Sequence, residues 1–313
     1  MNTIDAVITW VDGSDPNYKI KYNYHSGQMR NFKEQYLQDN EIVFCVSSIL
    51  KYAPFVRKIF IVTDNQVPNF KKIERIIPKN KIKIIDHKEI FEGLEDHLPT
   101  FNIRSIDAVL HRIKGLSEKY IYFNDDMFLI KETKINDWFS EDKAVLTGNW
   151  VKSYNIQVSK RISQRISQAF KKRPSFNAAQ SKAAKIAGFN EKYFKSYHSG
   201  RPQIKSIIQD FYTKHPDILI AQIKHKFRST QQHIPYSLCW HLIIKQDMYK
   251  ASSKKTLLEI EKVKNLNKRT LETILLNLDK NEDVKFLNVQ DLNYLSKESR
   301  LIFNDWISKK LDI

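Results

Sequence analysis

The chain is poor in the residues that several common functional sites require. Only 7 of its 313 residues are Gly, and no Gly-x-Gly-x-x-Gly or Walker pattern occurs. The glycine-rich phosphate loops of dinucleotide-binding and P-loop proteins are therefore not expected. The two cysteines, Cys45 and Cys239, stand far apart in apolar contexts. They predict reduced thiols in a core and offer no zinc-binding spacing.

Long apolar runs are also lacking. No stretch approaches the ~20 apolar residues of a membrane-spanning helix. The first residues contain no basic segment leading into an apolar one, so no signal peptide is predicted. Apolar residues still make up 42% of the chain and aromatic residues 12%, which is enough for a sizeable core. We expect a soluble, cytoplasmic protein with one large domain or two moderate ones.

Positive charge is in large excess, with 52 Lys and Arg against 35 Asp and Glu and a net charge of +17. Such a balance favours an anionic partner, namely nucleic acid, an anionic membrane face or a phosphorylated substrate. A cluster of basic residues is predicted to form an exposed helical face: Lys160, Arg161, Arg165, Lys171, Lys172 and Arg173. Because this segment holds only one aromatic residue, Phe170, and the chain has no recognisable nucleic-acid motif, we expect no nucleic-acid partner.

Strands and helices alternate in the first half. Apolar runs predict strands at 4–11, 58–63, 81–85 and 119–124, and helical spacing predicts helices at 41–52 and 102–113. This order favours βα units in a largely parallel sheet whose polar strand ends meet at one rim. After residue 150 the composition favours basic helices, followed by a late strand at 284–288 that returns to the sheet and a closing helix at 293–309.

The most informative stretch is Lys119–Asp126, an apolar and aromatic run that ends in Asn124, Asp125 and Asp126. It predicts a buried strand with two adjacent carboxylates at its C-terminal end. Such a pair can hold a divalent cation against a diphosphate or accept a proton from a hydroxyl. A polar turn without a function is the alternative, since Asn and Asp also favour turns.

A second candidate site is the loop that follows the first strand. Asp12, Gly13 and Asp15 supply two acids and a flexible turn in which a nucleotide diphosphate could approach backbone amides. An ordinary Asp-Gly turn is the alternative. Farther along, Asp107 and His111 are four residues apart and share one helical face, which points either into a cleft or to solvent as an ion pair.

Two basic motifs lie in the second half. His198 and Arg201 share a Gly/Pro turn, a combination that suits phosphate. Arg228 follows Phe227, so we expect its guanidinium to be partly buried and to need an anionic partner. A loop histidine and a solvated basic face are the alternatives.

Together these motifs resemble the Stealth family of bacterial capsular-polysaccharide phosphotransferases and the eukaryotic lysosomal-enzyme N-acetylglucosamine-1-phosphotransferase. Four blocks correspond in the family's order, at residues 4–16, 47–128, 198–229 and 286–293. The resemblance implies an α/β, Rossmann-like fold of the nucleotide-sugar transferase type, with a helical, basic C-terminal half. It also implies a nucleotide-sugar-binding core at 1–150, a mainly helical acceptor-side region at 151–282, and a strand and helix at 283–313 that return to the core.

The resemblance implies transfer of hexose 1-phosphate, or N-acetylhexosamine 1-phosphate, from a UDP-sugar to a hydroxyl of a growing capsular or cell-surface polysaccharide. A phosphodiester would form and UMP would leave. The acceptor would be anionic, and the enzyme would touch the inner face of the membrane or a capsule-synthesis complex peripherally. Two alternatives stay open: a metal-dependent UDP-sugar glycosyltransferase that releases UDP, and a non-catalytic, basic nucleic-acid-binding protein.

Particular roles are implied residue by residue. Catalytic roles fall on Asp126, Asp107, His198 and Arg228, and the family usually has Glu at the position of Asp107. Asp125 and Asp126 would hold Mg²⁺ or Mn²⁺. The implied nucleotide-sugar site comprises Trp10, Asp12, Gly13, Asp15, Asn124 and Asn288. In the last block the chain has Val289 where the family often has Asp.

Overall fold

The fold was obtained as a computed structural model, which describes residues 3–27, 40–154, 175–252, 256–260, 263, 266–290 and 292–313. The predicted basic face at 160–173 lies outside the described residues. The strands are β1 (Ile4–Thr9), β2 (Val56–Thr63), β3 (Ile82–Asp86), β4 (Lys119–Asn124), β5 (Met127–Leu129), β6 (Phe139–Ser140), β7 (Lys143–Lys152), β8 (Lys192–Ser196), β9 (Arg201–Ile204), β10 (Tyr249–Ser252), β11 (Leu257–Ile260) and β12 (Phe286–Val289). The helices are α1 (Pro16–Ser26), α2 (Glu41–Tyr52), α3 (His87–Ile90), α4 (Ile103–Asp107), α5 (Phe176–Ala187), α6 (Lys205–Lys214), α7 (Pro216–Ile223), α8 (Pro235–Lys245), α9 (Lys268–Lys280) and α10 (Lys297–Leu311).

A five-stranded sheet with the order β3-β2-β1-β4-β9 forms the centre of the molecule. Its first four strands are parallel, and β9 runs antiparallel to β4. The chain moves outward from β1 to β3 and then returns to the other side of β1 as β4. This reversal opens a crevice at the carboxyl ends of β1 and β4, where ligands of open α/β sheets bind. The predicted α/β fold with a mostly parallel sheet is confirmed.

The predicted helices of the first half differ in how well they match the structure. Helix α2 has the predicted bounds and buries most of its length. The helix predicted at 102–113 is shorter, since α4 ends at Asp107 and a separate 3₁₀ turn covers Leu110–Arg112. Helix α1 was not predicted, because its polar and aromatic residues lack apolar periodicity. Its start signals are present, however, with Pro16 in the first turn and the Asp15 side chain accepting from the Asn17 N–H.

The region from 151 to 282 contains more strand than predicted. Alongside its helices it supplies β8, β9, β10 and β11, and β9 joins the central sheet. Strand β8 pairs with the end of β7. A Cβ at Gly148 in β7 would lie 2.3 Å from the Lys195 carbonyl oxygen, so the close approach of these strands requires glycine there.

The late strand exists, but it joins a different sheet. Predicted at 284–288, it is β12 (Phe286–Val289), which pairs antiparallel with β5 and parallel with β11 in a three-stranded sheet. Because β5 follows directly after Asp126, this small sheet reaches the carboxyl edge of the central one. The closing helix α10 packs against α2 and α9.

The buried side chains of these elements form one core, beside which Tyr18 and Tyr22 form a small cluster with Phe101 and Phe227. Among the residues that the structure describes, no helix is both long and apolar enough to cross a membrane.

Candidate active site

The loop after β1 is held in place by Gln66. The Asp12 backbone N–H donates to Gln66 Oε1 at 2.9 Å, and Gln66 Nε2 donates to the Asp12 carbonyl oxygen at 3.0 Å and to Asp15 Oδ2 at 2.9 Å. The bond from Gln66 lowers the pKa of Asp15. Gly13 and Trp10 are buried in the same loop. Four residues implied for the nucleotide site are thus gathered at one strand end, and Gln66, which was not among them, orients the loop.

The Asn124–Asp126 turn connects β4 to β5 beside that loop. Thr9 at the end of β1 is in register with Asn124 at the end of β4, so the two motifs are adjacent. Asp126 Oδ1 is buried and accepts no hydrogen bond in the described structure. Burial raises the pKa of Asp126, and the Asn288 side chain, His198 and Arg201 oppose that rise. An oxygen of this kind is suited to take a proton or a cation from a bound substrate complex.

Asn288 holds the same turn from the small sheet. Its Nδ2 donates to the Asp126 carbonyl oxygen at 3.0 Å, and the Val289 N–H donates to that oxygen at 3.2 Å. Asn288 is fully buried. Its position indicates that it shapes the acidic turn.

Asp107 is linked to β1 through a tyrosine. The Tyr122 hydroxyl donates to Asp107 Oδ1 at 2.7 Å and lies 3.1 Å from Thr9 Oγ1. Burial raises the pKa of Asp107 to about 7, against the lowering effects of the Tyr122 bond and of Arg201 and Arg228. This carboxyl can therefore exchange a proton near neutral pH.

His111 does not form the exposed helical ion pair that its spacing from Asp107 allows. It is buried, and its ring lies 5.9 Å from that of Tyr212. Burial lowers the pKa of His111 to about 4, so the ring is neutral at physiological pH. His111 is a packing residue beside the Asp107 region.

Arg201, which shares the predicted phosphate-binding turn with His198, is a buried cation to which the family resemblance assigned no role. Its Nη1 donates to Asn124 Oδ1 at 3.3 Å, and its guanidinium lies 4.2 Å from the Tyr236 ring centroid and 5.5 Å from that of Tyr122. It is 1% exposed. The His-Ser-Gly-Arg-Pro motif was the available signal, but only the pairing of β9 with β4 places this arginine between the acids.

His198 and Arg228 approach the acids from the second half of the chain. The His198 side chain is 26% exposed and contacts Glu259. Arg228 is exposed, so the expectation that the Arg228 guanidinium is partly buried is wrong. Phe227 anchors the loop beneath it by stacking on Phe101 at 5.4 Å and 11°. The structure therefore brings Asp107, Asp126, His198 and Arg228 to one charged region, since Arg228 lowers the pKa of Asp107, His198 lowers that of Asp126, and Arg201 lowers both.

The acidic turn could hold a divalent cation only together with oxygen atoms of a bound substrate. Within the described ranges, no group of three or more His, Cys, Asp and Glu side chains is arranged to bind a metal. Mg²⁺ needs fewer protein ligands, because it is commonly held by one or two carboxylates together with substrate phosphates. Asp125 and Asp126, with the buried Oδ1 of Asp126, fit that mode of binding.

The first half of the chain matches two family models. Residues 2–29 match Stealth protein CR1, conserved region 1, and residues 35–147 match Stealth protein CR2, conserved region 2. The loop after β1 lies in the first region. Asp107 and the Asn124–Asp126 turn lie in the second.

Curated relatives align with a little under half of the chain. Capsular polysaccharide phosphotransferase cps1A of Actinobacillus pleuropneumoniae is 43% identical over 143 residues, which cover 44% of this chain and 38% of that protein. Receptor polysaccharide phosphotransferase WefC of Streptococcus oralis is 38% identical over 148 residues, which cover 45% of this chain and 43% of that protein. Exopolysaccharide phosphotransferase cps2G of Lactiplantibacillus plantarum is 41% identical over 140 residues, which cover 44% of this chain and 40% of that protein. The matched segment thus spans less than half the length of these relatives.

Among solved structures, a galactosyltransferase LgtC in complex with donor and acceptor sugar analogues is similar over 97% of this chain and 95% of that one, at a TM-score of 0.43 and 11% identity. A similarity this low supports no conclusion about function. The two matched conserved regions and the related phosphotransferases agree with each other, and by them part of the chain is similar to proteins of the Stealth family.

Proposed function

We propose that the protein transfers hexose 1-phosphate, or N-acetylhexosamine 1-phosphate, from a UDP-sugar to a hydroxyl of a capsular or cell-surface polysaccharide. The observation that carries this proposal is the placement of Asp126. It lies in the second conserved region, at the carboxyl end of a central strand, with one carboxylate oxygen buried and unpartnered and with His198 and Arg201 acting on it. The relatives' names supply the reaction class.

The reaction forms one bond to phosphorus and breaks another. The acceptor oxygen bonds to the β-phosphorus of the UDP-sugar, and the bond from that phosphorus to the bridging oxygen breaks. The bridging oxygen and its electron pair leave with UMP, and the hydroxyl proton passes to a base. The products are a sugar phosphodiester and UMP.

The charged region provides groups for each requirement of this step. Asp126 is assigned as the base or a cation ligand, and Asp107, with its pKa near 7, as a second carboxyl able to hold a proton. Arg228 is assigned to the phosphoryl oxygens, because a guanidinium can bind two of them at once. His198 is assigned as a proton carrier or phosphate contact.

The donor is assigned to the crevice between β1 and β4. Its nucleotide would be bound by the Trp10–Asp15 loop, with Asn124 closing the diphosphate end and the buried Asn288 holding the acidic turn behind it. A Mg²⁺ or Mn²⁺ ion held by Asp125 and Asp126 would neutralise charge on the diphosphate when bound. The rest of the chemistry belongs to the side chains already named.

The three regions then have separate tasks in this proposal. Residues 1–150 bind the donor, residues 151–282 bring His198 and Arg228 and face the acceptor, and residues 283–313 return to the core with Asn288. The anionic acceptor would be attracted by the basic residues at 160–173. A cytoplasmic position, with peripheral contact to the inner membrane face or a capsule-synthesis complex, would bring the enzyme to that acceptor.

The nucleotide product tests the proposal. The purified protein is incubated with a panel of UDP-sugars, Mg²⁺ and capsule oligosaccharides, and nucleotides and glycans are analysed by mass. Release of UMP with a gain of hexose plus phosphate on the acceptor is expected. Release of UDP with a gain of hexose alone would establish a glycosyltransferase instead, and the absence of any donor turnover would favour a binding protein.

A further inference from the structure

His198 is held on two sides by residues from distant parts of the chain. Glu259 Oε1 accepts from the His198 backbone N–H at 2.7 Å and lies 3.4 Å from the ring Nδ1. The Phe176 ring stacks on the imidazole at 5.2 Å and 24°. One ring face and one ring nitrogen are therefore occupied by the protein.

Glu259 is itself firmly placed. Its side chain is only 10% exposed, and it lies on β11 in register with Asn288 on β12. Asn288 in turn is in register with Met127, which follows Asp126. One small sheet thus carries both the acid that contacts His198 and the amide that holds the Asp126 turn.

We propose that Glu259 is a positioning residue for His198, which fixes the ring orientation and keeps the proton on Nδ1 so that Nε2 is presented to the substrate. The effect of Glu259 on catalysis rests on the proposed function, whereas its effect on the His198 ring does not. A carboxylate oxygen that accepts from the backbone N–H and lies 3.4 Å from Nδ1 favours a proton on Nδ1, which leaves Nε2 with its lone pair free. Nε2 can then accept a proton or a hydrogen bond during phosphoryl transfer.

Three variants test the proposal by activity. Glu259→Ala removes the acceptor and should lower kcat by about 10-fold to 100-fold, the scale seen when the partner that orients a metal-binding histidine is lost. The KM for the UDP-sugar should stay unchanged. Glu259→Gln keeps a side-chain oxygen that can accept from the backbone N–H of His198, so its kcat should be close to that of wild type and well above that of Glu259→Ala. Glu298→Ala, which removes an acid paired with Lys268 on the surface, is the matched control and should keep the wild-type kcat.

The ring tautomer provides a test that needs no turnover. ¹⁵N-histidine spectra are recorded at alkaline pH, where imidazole is neutral, and the His198 signals are assigned by their loss in His198→Ala. Wild type should show a protonated Nδ1 and a bare Nε2, and Glu259→Ala should lose that preference.

The outcomes separate the two proposals. An unchanged tautomer in Glu259→Ala overturns the role of Glu259, whatever the activity. A loss of kcat in Glu259→Ala that matches its loss of folded protein and is not recovered by Gln also overturns it, because a purely structural residue would behave so. The expected tautomer change in a protein that releases no UMP supports the role of Glu259 and refutes the proposed function instead.

Discussion

The side-chain amide of Asn288 donates to the backbone carbonyl oxygen of Asp126 at 3.0 Å, across 162 positions of sequence. This bond fastens the end of the chain to the acidic turn that follows the central strand. Because the bond reaches the backbone of Asp126, it holds the turn from which the carboxylate projects.

Asn288→Ala should therefore impair catalysis more than folding. The Asp126 carbonyl oxygen keeps the bond from the Val289 N–H, so the loss of the Asn288 bond to Asp126 and of the longer one from Gln290 should cost about 1–2 kcal/mol of folding free energy. The turn would move, and kcat should fall by about 10-fold or more, as misplacement of a reacting group does. Initial rates of UMP release and urea unfolding measure the two effects. A loss of stability with an unchanged kcat would contradict the assignment.

Asp126→Asn should abolish turnover while leaving the fold intact. The substitution is nearly isosteric but removes the charge and the basicity, and loss of a general base costs about 10²-fold to 10⁴-fold in rate. The rate of UMP release is compared with that of Asp210→Asn, an exposed acid on α6. If Asp126→Asn kept more than about a tenth of the wild-type rate, it would hold neither assigned role.

Arg228→Lys should be severely impaired although it keeps the positive charge. An ammonium is a point charge and cannot bind two phosphoryl oxygens as a guanidinium does. His198→Ala should be comparably damaging. The rates are measured at saturating UDP-sugar, with Arg269→Lys on the surface of α9 as the control. Wild-type behaviour of Arg228→Lys would make Arg228 a general electrostatic residue.

Asp107 should make the stability of the protein fall as the pH rises. Its pKa is about 7 in the folded protein against an ordinary value of 3.8, so the folded state binds a proton in that window and the unfolded state does not. The stabilising protonation is complete at low pH and is lost as the pH rises towards about 7. Asp107→Asn does not titrate, so the Tm of this variant minus the Tm of wild type should increase as the pH rises over this range. Parallel Tm curves for the two proteins would contradict the raised pKa.

Neutralising the basic residues at 160–173 should affect the acceptor and not the donor. Charges that attract a partner over a distance mainly alter the rate of encounter and its salt dependence. Changing Lys160, Arg161, Arg165, Lys171, Lys172 and Arg173 to Gln should raise the KM for a long anionic acceptor and weaken its salt dependence. The KM for the UDP-sugar and the rate on a short acceptor are the internal controls and should not change. An unchanged polymer KM would argue against an acceptor role, and vesicle co-sedimentation of the same variant would then test for membrane contact.

The candidate site was only partly predictable from local motifs. Asp126 and His198 stand in short segments whose residue types already suggest phosphate chemistry. Glu259 lies in a strand of ordinary composition, and its contact with the His198 N–H joins residues 61 positions apart. Arg201 stood in a motif that drew attention, but its burial against Tyr122 and Tyr236 depends on β9 pairing with β4.

The parallel core follows from local sequence, because continuous apolar runs, the polar residues that end them and helical spacing between them are all read within a few residues. Strand order, the antiparallel entry of β9 and the separate sheet of β5, β12 and β11 were decided by the tertiary structure. Which strands pair depends on packing between segments far apart in the chain, and no local pattern encodes it. For the same reason burial, and with it the raised pKa values of Asp107 and Asp126, arises only when the second half of the chain covers the carboxyl edge of the first.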